Sequence, residues 1–185
     1  EVARELQGLG AEALFVKTDV SDEASCKAMA KAVHERFGRI GGLLNNAAIF
    51  HGLDREDPSL AYFNRILSVN LTGVWLATRA VESYMKRQKK GKIINQSSTA
   101  AYMGNVGMVD TSDPDKPSPS FHYSVAKLGV SGLTKYFAGA LGAWGINVNA
   151  ICPGVTMTEA TKSVVPEQIL STIVMMRALK KALQP

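Results

Sequence analysis

The sequence predicts an α/β fold: a parallel sheet with helices on both faces. Three observations carry the prediction. Short apolar runs of strand type alternate with longer helix-forming stretches, the order that yields parallel strands joined by crossover helices. Glycines and N-cap residues punctuate the boundaries between these stretches. The residues able to do chemistry collect just after the apolar runs, at Asp19, at residues 45–48, at Ser97-Ser98 and at Pro153-Gly154. Ligands of such sheets gather beyond the C-terminal ends of the strands, so this clustering implies one crevice.

Taken in order, residues 1–8 read as the last turns of a helix closed by Gly8 and Gly10. Residues 13–16 (Ala-Leu-Phe-Val) are a short apolar run expected to be a strand, ending at Asp19-Val20. Ser21-Asp22-Glu23 supplies a helix N-cap with acids in the first turn. That helix runs to Phe37 and stops at Gly38. A strand is expected over 40–46, a long helix with an apolar stripe over 59–87, and a strand over 92–95. Residues 104–120, rich in Gly, Asp, Pro and Ser, read as an inserted loop. A helix rich in Ala, Gly and Leu is expected over 121–144, ended by Gly145. A strand over 146–151 then runs into Pro153-Gly154, and a last helix over 166–183 carries Met and Leu on one side.

The 185 residues have room for one core, and 46% hydrophobic with 20% charged content reads as soluble and globular. No apolar run approaches the ~20 residues of a membrane span. No signal peptide is visible; the chain opens with Glu1 rather than Met, so an N-terminal piece is expected to be missing. Cys26 and Cys152 are too few for a disulfide framework, which suits a reducing cytosol and a cytoplasmic location. Neither has companions at metal spacing, and His34, His51 and His122 are scattered, so no metal is expected. The net charge of +5 is concentrated in Lys86-Arg87-Gln88-Lys89-Lys90-Gly91-Lys92 at the end of a predicted helix. Cations there suit the helix dipole, and no stacking aromatics are interleaved with them, so nucleic acid is not an expected partner.

The central motif is Tyr123-Ser-Val-Ala-Lys127. Residues four apart on a helix share a face, so a phenol sits beside an ammonium. The positive charge favours phenolate and is expected to lower the tyrosine pKa toward a range useful in proton transfer. Alone, such a pair is ordinary helix surface. Here Asn45-Asn46-Ala47-Ala48, Asn70 and Ser97-Ser98 precede it, and Pro153-Gly154 follows it.

That ordered set resembles the short-chain dehydrogenase/reductase family, single-domain branch. The resemblance implies a Rossmann-like doubly wound parallel sheet, with residues 1–185 as a single partial NAD(P)-binding domain. It also implies that the first strands and the Gly-rich turn for the cofactor pyrophosphate lie upstream of Glu1. The tail, Ala178-Leu-Lys-Lys-Ala-Leu-Gln-Pro185, looks like the approach to a further strand.

By the same resemblance Tyr123 is the general acid/base, and Lys127 lowers its pKa and binds the nicotinamide ribose. Ser98 donates to the reacting oxygen. Ser98 is chosen over Ser97 because adjacent strand residues point oppositely and the family uses the second of such a pair. Asn70 is expected to hold a water near Lys127 in a proton relay; the plainer reading is a helix kink or a solvated face, since Asn is a poor helix former. Asp19 and Val20 resemble the adenine-contacting pair, although Asp19 also suits a helix cap. Asn46, Ala47 and Ala48 match the family's NNAG with Ala48 in place of the usual Gly. Gly41-Gly42 stand where the family usually has an acid and an apolar residue. Pro153, Gly154, Thr156 and Thr158 resemble the segment that holds the nicotinamide carboxamide, the alternative being a turn followed by a helix cap.

The largest departure is the long separation of Ser98 from Tyr123. The surplus contains Asp110, Asp113, Pro114, Asp115, Pro117 and Pro119, and is expected to project beside the substrate pocket as a lid, a partner contact or a disordered insert. His51 and His122 are candidates to line that pocket, or else structural histidines. The implied activity is NAD- or NADP-dependent interconversion of a secondary alcohol and a ketone. The residues that separate NAD from NADP are expected upstream of Glu1, so both cofactors stand. The rival readings are a non-catalytic nucleotide-binding or scaffold protein on this fold, and a nucleotide-sugar epimerase of the extended branch. The implied partners are a small alcohol or ketone and a second copy of the chain, as a homodimer or homotetramer through the helices at 59–87 and 121–144.

Overall fold

Hydrophobic alternation is plainest in the middle strand. Along Gly91–Gln96, Gly91, Ile93 and Asn95 are buried, while Lys92 and Ile94 between them are exposed, as a strand covered on one face requires. The computed structural model describes residues 1–49, 59–103, 112–115, 122–164 and 167–176. His51, Asp110, Pro117, Pro119 and the tail 177–185 lie outside the described residues.

The order is α1 (Val2–Gly8), α2 (Glu23–Phe37), β1 (Gly42–Asn45), α3 (Leu60–Leu67), a π-helical turn (Ser68–Thr72), α4 (Gly73–Gln88), β2 (Gly91–Gln96), a 3-10 turn (Thr99–Tyr102), α5 (His122–Gly142), β3 (Ile146–Ile151), α6 (Glu159–Val164) and α7 (Glu167–Met176). The three strands are parallel in the order β1-β2-β3, with Asn45 beside Asn95 and Asn95 beside Ala150. The flagged ends of β1, β2 and β3 therefore lie along one side of the sheet, and Asp19 follows no strand.

Local signals set most boundaries. Asp22 caps α2 by accepting the Ser25 N–H at 2.6 Å, and Gly38 ends it in the left-handed region at φ 71°. Ser59 caps α3 by accepting the Tyr62 N–H. Gly145 precedes β3 at φ 70°, where an added Cβ would lie 2.5 Å from the Lys89 carbonyl oxygen, so only glycine fits. The core joins Ala30 of α2, Val81 and Met85 of α4, Ile93 of β2, Phe137 and Leu141 of α5, and Ile146 and Val148 of β3. These helices cover one face of the sheet; on the other, Leu44, Ile94 and Ile151 are exposed among the described residues.

Three expectations change. Residues 13–16 do not form a strand, because a strand exists only where a neighbouring backbone pairs with it, and among the described residues none pairs with them. The helix expected over 59–87 is interrupted: the Gly73 N–H bonds to the Ser68 carbonyl five residues back, a π-helical turn centred on Asn70. The last helix, α7, begins at Glu167 as expected, but an additional short helix, α6, precedes it.

Candidate active site

Ser98 lies within hydrogen-bond reach of the Tyr123 phenol. The strand end makes this possible, since adjacent side chains there face opposite ways. Ser97 turns into the core and donates to the Lys127 carbonyl at 2.8 Å, which leaves Ser98 facing the crevice. Ser98 also opens the 3-10 turn, its Oγ accepting the Ala100 N–H at 3.2 Å. Tyr123 and Lys127 come from the first two turns of α5 on the same face. Lys127 is 2% exposed, and its Nζ donates to the Gln96 carbonyl at 2.7 Å while lying 5.6 Å from the centroid of the Tyr123 ring.

The electrostatics differ from expectation. Burial pushes the Tyr123 phenol above its ordinary pKa, and the Ser98 hydrogen bond pulls it back in part. Burial also pushes the Lys127 amine down. The ammonium is engaged by Gln96 and lies against the ring, so the lowering expected from Lys127 is not what sets the phenol here. Ser98 is the group that favours phenolate.

Asn70 is fully buried and closes a two-bond clamp on Ile49, accepting its N–H at 2.8 Å and donating to its carbonyl at 2.9 Å. Its side chain holds the stretch just beyond Asn46, Ala47 and Ala48, all three of which are exposed past the end of β1. A cleft of about 70 Å³ beside them is lined by Val20, Asn46, Ala47 and Gly73 among others. Gly73 packs so closely on Val20 that an added Cβ would lie 2.9 Å from its Cγ2. Asp19 is exposed and accepts from both the N–H and the hydroxyl of Ser21, which lowers its carboxyl pKa; the cap of α2 itself is Asp22.

Beyond β3, Pro153 accepts the Thr99 N–H at 3.0 Å, tying this segment to the one that follows Ser98. Thr156 donates to the Gly154 carbonyl at 3.2 Å, and Thr158 caps α6 by accepting the Thr161 N–H. The helix-cap reading of Thr158 thus holds. His122 is not exposed to the crevice but buried between Tyr62 and Phe63, with ring centroids 5.6 and 5.0 Å away.

Sequence reasoning missed a buried line of side chains beneath the site. Asn45 donates to Thr78 Oγ1 at 3.2 Å and to Asn95 Oδ1 at 2.8 Å; Asn95 donates to Thr134 Oγ1 at 2.9 Å. The line crosses from α4 through both strands to α5. Its signal was the asparagine that ends each apolar strand run, in Leu43-Leu-Asn45 and Ile93-Ile-Asn95.

The family model described as short chain dehydrogenase matches residues 1–169. The chain is 36% identical over 176 residues to a 3-oxoacyl-[acyl-carrier-protein] reductase of Synechocystis, covering 95% of this chain and 66% of that protein. It is 40% identical over 155 residues to levodione reductase of Leifsonia aquatica, covering 83% of this chain and 53% of the relative. Several other curated relatives are likewise spanned over about 60% of their length. A crystal structure of 7α-hydroxysteroid dehydrogenase complexed with NADH and 7-oxo glycochenodeoxycholic acid superposes with a TM-score of 0.85 at 27% identity, over 100% of this chain and 67% of that one. On the extent of the family match and the identity to these relatives, the chain belongs to the short-chain dehydrogenase family.

Proposed function

We propose that the protein interconverts a secondary alcohol and a ketone by NAD(P)-dependent hydride transfer, with Tyr123 as the acid/base. The observation that carries this reading is the approach of Ser98 to the Tyr123 phenol, within hydrogen-bond reach, with Lys127 buried beside the phenol ring. Two hydroxyls from distant parts of the chain converge, and a reacting oxygen placed between them meets a donor on each side. The relatives' names point the same way, since they state oxo and hydroxy compounds.

Asp19 and Val20 would hold the adenine end of NAD or NADP, Asn46, Ala47 and Ala48 the middle, Lys127 the nicotinamide ribose, and Pro153, Gly154, Thr156 and Thr158 the carboxamide. The small exposed residues past β1 and the cleft beside Val20 fit such a group. When bound, the nicotinamide supplies or takes up the hydride.

In the reductive direction, Ser98 donates to the carbonyl oxygen and Tyr123 delivers its proton as the alkoxide forms. A phenol held protonated by burial suits that step. In the oxidative direction Tyr123 must start as phenolate, its charge stabilised by the Ser98 hydroxyl, and it then takes the proton of the alcohol. Asn70 keeps the stretch past Ala48 in place through Ile49.

The substrate class is a small or cyclic secondary alcohol or ketone. No helix among the described residues is long and apolar enough to cross a membrane, and two free cysteines, one of them exposed, suit a cytoplasmic location. A homodimer or homotetramer would form through the helices at 59–87 and 121–144. In support, Trp75 and Leu128 are exposed, and a shallow apolar depression lined by Leu71, Thr72, Trp75, Gly129 and Leu133 lies between the two helices.

The decisive test is Tyr123→Phe in the whole protein, with nucleotide binding and turnover measured separately. Binding retained with turnover reduced about 10²- to 10⁴-fold is expected. Turnover at the wild-type rate sinks the assignment.

A further inference from the structure

The segment that leaves Ser98 does not simply run out into the inserted loop. Its 3-10 turn ends at Tyr102, whose hydroxyl reaches back and donates to Ser131 Oγ at 3.0 Å. Ser131 Oγ lies 3.0 Å from Ser97 Oγ, and Ser97 donates to the Lys127 carbonyl at 2.8 Å. Each hydroxyl has one proton to give. With Tyr102 donating to Ser131, and Ser97 donating to Lys127, the remaining short contact is filled by the Ser131 proton on Ser97. Its other acceptor, the Lys127 carbonyl, is farther away at 3.4 Å. The result is a directed chain, Tyr102 to Ser131 to Ser97 to the Lys127 carbonyl, in which every hydroxyl is satisfied.

The chain joins the parts that must stay in register. Ser97 adjoins Ser98, Ser131 sits one helical turn beyond Lys127, and Tyr102 closes the turn that Ser98 opens. Ser97 and Ser131 are 1% and 8% exposed, so their hydrogen bonds are shielded from competing water. Tyr102 is 65% exposed, so its hydroxyl is tied while much of its ring is not packed.

We propose that Tyr102 and Ser131 are positioning residues: their hydroxyl chain holds the strand end bearing Ser98 against the helix bearing Tyr123 and Lys127. The proposal rests on the reading of Ser98 and Tyr123 as the pair that handles the proton. Loosening the chain lets the two hydroxyls separate, which weakens catalysis while leaving the nucleotide contacts of the other strand ends untouched.

The test uses Tyr102→Phe, Ser131→Ala, their double variant and Ser131→Thr in the whole protein. Each single loss is expected to lower kcat about threefold to tenfold with the nucleotide KM moved less than kcat, a modest loss for a group that only positions others. The double variant is expected to be no slower than Ser131→Ala, because both changes cut one chain. Ser131→Thr restores the hydroxyl and the rate. A second readout does not depend on turnover: in protein labelled at tyrosine 13Cζ, the Tyr123 resonance is expected to shift in Tyr102→Phe and in Ser131→Ala and to return in Ser131→Thr. A Tyr123 resonance unmoved in the first two variants overturns the proposal, as does a multiplicative loss in the double variant. If Ser98→Ala turns over at the wild-type rate, the acid/base reading fails instead, and the resonance still decides whether the chain positions Tyr123.

Discussion

The Lys127 ammonium stands 5.6 Å from the centroid of the Tyr123 ring and is bonded to the Gln96 carbonyl at 2.7 Å. It meets the aromatic ring, where the attraction is to the π system, while Ser98 lies within hydrogen-bond reach of the phenol. Ser98 and Lys127 thus have different tasks beside Tyr123. Ser98 tunes the proton, and Lys127 ties α5 to the end of β2 while keeping a positive charge in the crevice.

Ser98→Ala removes a hydroxyl that favours phenolate. The Tyr123 pKa is expected to rise further, so the limb of the pH–rate profile that reports Tyr123 ionisation moves to higher pH. kcat is expected to fall about 10²- to 10³-fold, as for loss of an oxyanion donor. A full profile of kcat against pH checks both, and an unmoved limb with a normal rate contradicts them.

Stability should depend on pH through Lys127. Burial holds its pKa below the ordinary 10.5, so the unfolded chain binds the proton more tightly than the folded one. The penalty is full below the folded pKa and vanishes above 10.5, and stability therefore rises with pH across that window. Tyr123 acts oppositely: its pKa is raised above 10.0, so its contribution is lost as pH climbs past that value. Denaturant unfolding from neutral pH to about pH 10 should show a rise in the wild type that is flattened in Lys127→Met. Equal slopes in the two proteins would contradict this account.

Asn95→Ala cuts the buried line at its centre, leaving the Asn45 amide short of an acceptor and Thr134 Oγ1 short of a donor. A loss of about 1–3 kcal/mol is expected on top of the cavity left behind. Urea unfolding measures it. A change under about 0.5 kcal/mol, the size expected of a surface position, would show that the line carries no stability.

Asn70→Ala opens the clamp on Ile49. The Ile49 amide should exchange with solvent faster than the amides of neighbouring strand β1, and nucleotide affinity should fall with it. If Asn70 served only to kink the helix, Ile49 exchange would stay as it was.

Where a signal is local, the sequence alone determined the outcome. Asp22 and Gly38 bound α2 because a cap and a left-handed glycine act within one turn. The facing of Ser98 away from Ser97 follows from the alternation of any strand, and β3 occupies the residues expected of it. Tertiary structure decided whatever depends on a distant partner. Residues 13–16 have strand chemistry but, among the described residues, no strand beside them, and the helix at 59–87 carries a π turn where Asn70 reaches across to Ile49. The Lys127 ammonium finds Gln96, 31 positions away, and Asn45 finds Asn95, 50 positions away. Spacing along a chain sets which residues share a turn or a face; which groups meet across the sheet depends on strand register and helix packing, set by burial of the whole core.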